Sequence, residues 1–169
     1  MATGESEATH RDRTTAWLLV GGQMALLAVL ARLPRGTSWS LPRAARGLAW
    51  VGQGAGVGLS AVAAAGLGPG LSASPLPNEQ AELHTDGLYA YVRHPIYAGV
   101  LLAATSRTLA SGNRVALLPL GLLGVLLHLK AGFEERHLAE RFPGYADYAS
   151  HTPRILPTPA SILARTRAQ

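Results

Sequence analysis

The densest group of side chains able to do chemistry lies between His84 and Gly99. There the chain reads His84-Thr85-Asp86-Gly87-Leu88-Tyr89, then Tyr91, then Arg93-His94-Pro95-Ile96-Tyr97-Ala98-Gly99. Asp86-Gly87 suits a turn. Pro95 suits the first turn of a helix, where its missing N–H costs little. Arg93 and His94 are thereby placed at a helix N-terminus, which attracts anionic groups, and they add hydrogen-bond donors for a carboxylate or phosphate. A second group follows at helical spacing: Lys130, Glu134, Glu135 and Leu138. Lys130 and Glu134 are four apart and share a face that Leu138 continues. Each group alone also has a plainer reading. Arg, His and Tyr anchor lipid headgroups, and a Lys–Glu pair can be a solvated, salt-bridged helix end.

The elements that must position these groups are apolar. Four apolar stretches run from about Thr15 to Leu33, Gly47 to Gly68, Ile96 to Gly112 and Val115 to Ala131. A bilayer-spanning helix needs roughly 17–25 such residues. The first two meet this comfortably; the last two are shorter and carry polar residues. Gly52/Gly56 and Gly54/Gly58 are small-xxx-small pairs that let helices approach closely in lipid. Ser111-Gly112-Asn113 joins the third and fourth stretches as a helical hairpin. The fourth helix is expected to project from the membrane as far as about Phe142, with Pro143 and Gly144 marking its end. Beyond it Tyr145, Tyr148, Pro153, Pro157 and Pro159 read as an irregular tail on the surface. The pattern predicts an all-α polytopic integral membrane protein with about four transmembrane helices and a C-terminal helical hairpin. Its parts are a polar N-terminal tail (1–14), two N-terminal transmembrane helices (15–68) and a functional region with the hairpin and tail (69–169). The hairpin brings Arg93 and His94 to the same membrane face as Lys130 and Glu134, lining one cleft, half aqueous and half lipid.

Composition narrows the function. The formal net charge is +5 with 15% charged residues, against roughly 25% in an average soluble domain. The arginines sit in tails and loops, with no basic stripe and no aromatic interleaving, so nucleic acid is not an expected partner. The absence of cysteine excludes disulfides and thiolate zinc sites. Glu134 and His137 form a single Glu-x-x-His, where a di-iron bundle needs two. There is no H-E-x-x-H and no G-x-S-x-G, so no metal site is expected. Charge does not fix the topology. The loop with Arg35, Arg43 and Arg46, edged by Arg32, favours one side as cytoplasmic, and the two tails with the middle loop favour the other.

The stretch from His84 to Pro157 resembles the isoprenylcysteine carboxyl methyltransferase family and its bacterial and phospholipid methyltransferase relatives. The matching pieces are T-D-G-L-Y-A-Y-V-R-H-P-I-Y-A-G, the hairpin, E-E-R-H-L-A-E-R-F-P-G-Y-A-D-Y and the closing P-R-I-L-P. The resemblance implies a helical membrane enzyme that uses S-adenosylmethionine and makes 69–169 the catalytic region. It implies that Leu83, His84, Tyr89, His94, Pro95, Tyr97 and Glu134 contact the cofactor. In the prenylcysteine enzymes an arginine stands one turn before that glutamate and orients the substrate carboxylate; here the position is Lys130. Lysine offers a point charge where arginine offers a planar fork, which weakens the expectation of a prenylcysteine acceptor. Lys130 and Arg93 are the candidates for handling the acceptor. The expected partners are membrane lipid and a lipophilic acceptor carrying a carboxylate or an amine. The expected place is a bacterial inner (plasma) membrane, with the site facing the cytoplasm by the same resemblance. Two alternatives stay open: a membrane reductase-like relative binding another nucleotide, and a small non-enzymatic membrane protein whose two clusters are interfacial anchors.

Overall fold

The computed structural model describes residues 2–72 and 74–158, with side chains from His10 onward. Five helices follow in order: α1 (Ala2–Arg32), α2 (Arg43–Leu67), α3 (Pro95–Ser111), α4 (Leu117–Arg141) and α5 (Tyr145–His151). No strand occurs among the described residues. Three stretches are long and apolar enough to cross a bilayer: His10–Arg32, Arg43–Gly70 and Arg114–Arg141. Their large apolar side chains point outward. Trp17, Leu18, Val51, Val62, Leu118, Leu122, Val125 and Leu129 are all exposed, while Lys130, Glu135, His94, Ser106 and Thr108 are buried. Such a distribution is costly in water and favourable in lipid, where backbone groups are satisfied within helices and polar side chains turn inward. The protein is an integral membrane protein.

The fourth apolar helix expected from the sequence is α3, which at 17 residues stands at the short end of the range for a span. Both ends of α3 are fixed chemically. Pro95 stands in its first turn and Gly112 caps its last turn with φ of 63°, a left-handed conformation that glycine adopts without a Cβ penalty. α3 is lodged between α2 and α4, and α1 packs mainly on α4.

The α2–α3 seam explains one of the two glycine pairs. A Cβ on Gly56 would stand 2.5 Å from both the Gly99 carbonyl oxygen and the Ala103 nitrogen, and one on Gly52 would stand 2.6 Å from Ser106 Oγ. Gly54 and Gly58 have nothing within 4 Å, so only the Gly52/Gly56 pair faces α3, with the backbones meeting at Gly56. One turn further on, Ser60 Oγ donates to the Ile96 carbonyl at 3.0 Å. This ties α2 to the first turn of α3, beside His94.

Residues 2–14 are helical and continuous with the first span, a conformation that their polarity left open. That extension runs beside the projecting end of α4, with Asp12 Oδ2 3.4 Å from His137 Nε2. The segment after Gly144, read as irregular, folds into α5. Tyr145 and Tyr148 lie three apart on one buried face of it, and that apolar burial outweighs the short length of the helix. The following residues bend against the start of α3, where Arg93 N donates to Pro153 O and His94 N to Arg154 O, both at 2.9 Å. Pro159 lies outside the described residues.

Candidate functional site

A cavity of about 320 Å³ opens among α1, α2, α3, α4 and the segment joining α2 to α3. Helices α1 and α2 give it an apolar wall through Val20, Met24, Ala64 and Leu67. The joining segment adds Leu71, Ser72, Glu82, Leu83 and His84. Arg93, His94, Pro95 and Tyr97 enter from the start of α3, and Lys130, Glu134 and Leu138 from successive turns of α4. With Tyr89, which comes from the short 3-10 turn Gly87–Ala90, all nine sequence-predicted residues therefore line one cavity. Its size falls within the range of small-molecule sites, about 300–1,000 Å³.

The polar side of the cavity is built in layers. The His94 ring stacks on Tyr97 with centroids 5.1 Å apart and planes 3° from parallel. On the same Tyr97 ring, Lys130 Nζ lies 5.1 Å from the centroid, a distance at which a cation is attracted to the ring face. Tyr97 Oη donates to Glu134 Oε2 at 2.8 Å. His94 Nδ1 stands 3.6 Å from the same oxygen, within electrostatic reach and beyond a hydrogen bond. Lys130 and Glu134 share a face as their spacing requires, yet they do not pair. Lys130 Nζ donates instead to Gln23 Oε1 on α1 at 2.8 Å. Glu134 keeps 29% of its side chain exposed toward the cavity, whereas Lys130 is 5% exposed.

Behind this layer lies an ion cluster centred on Glu135, a residue the sequence placed in the second group without giving it a role. Glu135 accepts from Arg93 Nε at 2.9 Å on Oε1, and on Oε2 from Arg154 Nε at 3.0 Å and Arg154 Nη2 at 2.5 Å. His94 Nε2 stands 3.1 Å from Oε1. Arg93 Nη1 donates to the Ala149 carbonyl at 2.8 Å and also to Thr152 O. The Arg93 guanidinium is thus spent on Glu135 and on the end of α5. The doubled glutamate was the available signal for Glu135, and an arginine inside P-R-I-L-P the signal for Arg154. Gln23, a lone amide inside an apolar span, was the signal for the partner of Lys130.

Three tyrosines complete the wall. Tyr89 Oη donates to Ala63 O at 3.2 Å, and Tyr148 Oη donates to Tyr89 O at 2.6 Å. Tyr145 is 4% exposed, and its hydroxyl has no hydrogen-bond partner among the described residues. Burial first, and the nearby Glu134 carboxylate second, push the Tyr89 phenol well above its ordinary range. Burial and Glu135 do the same for Tyr145. Both phenols remain neutral donors at physiological pH.

The arrangement has the means to bind and orient a small molecule. It presents a carboxylate toward the cavity, a stacked imidazole–phenol pair, neutral phenol donors and one cation beside an apolar wall. Compared with known sequence families, residues 46–144 match the phospholipid methyltransferase family, more than half of the 169-residue chain. The chain belongs to the phospholipid methyltransferase family, and it is a membrane methyltransferase whose substrates are related to membrane lipids. The match takes in α2 as well as the motif region and ends at Gly144. Among curated proteins, none matches the chain.

Proposed function

We propose that the protein transfers a methyl group from S-adenosylmethionine to a carboxylate or an amine of a lipophilic acceptor at the membrane surface. The observation that carries this reading is the single cavity in which a polar, carboxylate-bearing wall meets an apolar wall of membrane helices. The donor set fits the cofactor. Glu134 suits its cationic amino group, while Leu83, His84, Tyr89, His94, Pro95 and Tyr97 offer ring faces, apolar contact and neutral donors. When bound, the cofactor supplies an electrophilic methyl group on a sulfonium centre.

The chain's own residues then bind, orient and exclude water. Methyl transfer from a sulfonium needs no protein nucleophile; placing the two reactants in line is worth several kcal/mol. The stack of His94 on Tyr97, braced by Glu134 and Glu135, fixes the cofactor side. Lys130 faces an anionic oxygen of the acceptor, either the carboxylate itself or a phosphate beside an amine. Gln23 holds its Nζ in place. Arg93 is a positioning residue that fastens α5 and the Pro153–Ile155 segment behind His94. Region 69–169 carries the cofactor side, and helices within 15–68 supply the acceptor wall. The cytoplasm supplies a soluble cofactor, so the cleft faces it, in a bacterial inner membrane.

The test is binding of S-adenosylmethionine and S-adenosylhomocysteine to detergent-purified protein. Wild type is compared with His94→Ala and Glu134→Ala. A charge-assisted hydrogen bond is worth about 1.5–3 kcal/mol, so Glu134→Ala is expected to weaken binding by roughly 10- to 100-fold while the fold is retained. Well-folded wild type that binds neither compound would remove the cofactor assignment and favour another nucleotide or a non-enzymatic role.

A further inference from the structure

The face opposite the cleft is built from the end of α1, residues 33–42, the start of α2, the end of α3 and the α3–α4 turn. It carries Arg32, Arg35, Arg43, Arg46, Arg107 and Arg114, and the chain has no Asp or Glu from Arg13 to Asn78 or from Gly87 to Phe133. These arginines therefore have no acidic residue in any of the stretches that form the face. The face is also held firmly. Gly36 N donates to Ser111 O at 2.8 Å and Ser38 N to Gly112 O at 2.9 Å. Trp39 Nε1 donates to Leu109 O at 2.9 Å, and Asn113 Nδ2 to Pro34 O at 3.0 Å.

A cavity of about 260 Å³ lies within this frame, lined by Leu33, Arg35, Trp50, Arg107, Ala110 and Ser111. Arg107 is locked at its wall. Its Nε donates to Leu30 O at 3.2 Å and its Nη2 to Ala31 O at 2.7 Å, satisfying carbonyls at the C-terminus of α1 and leaving Nη1 free of any described partner. Arg35 makes no hydrogen bond or ion pair among the described residues. Two guanidinium groups at one cavity suit the oxygens of a phosphate, and Trp50, 41% exposed, is a side chain typical of the headgroup level.

We propose that this cavity is a specific site for the phosphodiester of an anionic phospholipid. The selectivity follows from the missing carboxylates. A zwitterionic headgroup would bring its ammonium into a field of six arginines with no acidic group to receive it. An anionic headgroup brings no such charge. Its acyl chains would lie along Leu33 and the exposed Leu48 and Val51 of α2. The cavity and its arginines stand apart from the methyltransferase reading, and only the side of the membrane on which the face lies rests on it. With the cleft on the cytoplasmic side, this face lies where arginines are disfavoured in short loops, and a bound anionic lipid is the countercharge that keeps them there.

The experiment uses the full chain in neutral detergent, titrated with dihexanoyl phosphatidylglycerol, dihexanoyl phosphatidylcholine or inorganic phosphate. Native mass spectrometry gives stoichiometry, thermal shift gives affinity, and circular dichroism checks each variant's fold. One phosphatidylglycerol is expected to bind saturably, at least tenfold tighter than phosphatidylcholine or inorganic phosphate. Arg35→Gln is expected to weaken it about tenfold, and Arg114→Gln, on the same face outside the cavity, less than twofold. Equal binding of the two lipids, equal loss in the two variants, or inorganic phosphate binding as tightly as the lipid would each overturn the proposal.

Discussion

Replacing Glu135 with glutamine tests whether the buried ion cluster behind His94 holds the site together. The substitution keeps the shape of the side chain and one acceptor oxygen but removes the charge. Two guanidinium groups then face a neutral amide. The Glu135 side chain is 10% exposed and that of Arg93 12%, whereas that of Arg154 is 33% exposed. Removing one partner of a buried pair costs about 3–5 kcal/mol. Water reaches Arg154, and the amide oxygen still accepts one donor, so the lower end applies, about 3 kcal/mol. For a chain of this size 1 kcal/mol moves the melting temperature by about 2–4 °C, which gives a loss of roughly 6–12 °C. The assay is thermal unfolding in detergent followed by tryptophan fluorescence. Adding Arg154→Met to Glu135→Gln should cost little more, because the two side chains act as one unit. Binding of S-adenosylhomocysteine should weaken about tenfold as well, since His94 Nε2 loses its charged neighbour. A Glu135→Gln protein that melts within about 2 °C of wild type would refute the argument, and the clamp would then be ornamental to the fold.

Two further outcomes follow from particular contacts. Gly56→Ala places a Cβ 2.5 Å from backbone atoms of Gly99 and Ala103. No side chain can move aside, so α2 and α3 must part, at a cost of about 1–3 kcal/mol; Gly54→Ala, with nothing within 4 Å, should be neutral or slightly stabilising, and equal effects in thermal unfolding would contradict the seam. Tyr145→Phe removes a buried hydroxyl that has no described partner, so without ligand it should raise stability by about 1 kcal/mol. The same phenol, with Tyr89, predicts the alkaline limit. Both folded-state pKa values are raised, so their contribution to stability is complete below the ordinary phenol pKa of about 10 and is lost as the pH rises beyond it. Melting temperature measured from pH 7 upward should hold until near pH 10 and then fall, with a shallower fall in Tyr145→Phe; identical slopes in the two proteins would sink this account.

What could be read in the sequence was local. Hydropathy and the Pro95 and Gly112 signals placed α2, α3 and α4 within a few residues of their observed ends, because each boundary is set by a residue with its own backbone preference. Helical spacing likewise put Lys130, Glu134 and Leu138 on one wall of the cavity. What escaped was set by distant partners. Tyr145 and Tyr148 sit in a seven-residue segment too short to announce a helix, and only burial against the chain that carries Tyr89 and Arg93 makes it one. Glu135 was named with its neighbours but given no role, because the arginines that neutralise it stand 42 positions earlier and 19 later. The two glycine pairs of α2 were indistinguishable by spacing, and only the position of α3 decides between them.

The pairing of Lys130 with Gln23 rather than with Glu134 bears on what the cleft can hold. A direct Lys–Glu bridge would have cancelled both charges and left a site with little preference for ions. Gln23 is neutral, so it fixes the ammonium without quenching it. Glu134 is held by the Tyr97 hydroxyl, also neutral, and keeps its charge for the cavity. The Tyr97 ring lies between the two, with the cation over its face and its hydroxyl on the carboxylate. The cleft is therefore polarised: an anion on the side of His84, Tyr89 and His94, and a cation on the side that α1 closes. A cationic methyl donor and an acceptor with an anionic oxygen would each meet the opposite charge. The exchange of the two would place like charges together in a low-dielectric site, where repulsion is strongest. On the proposed function, that asymmetry would set the direction in which the two reactants lie without an acid–base group being needed.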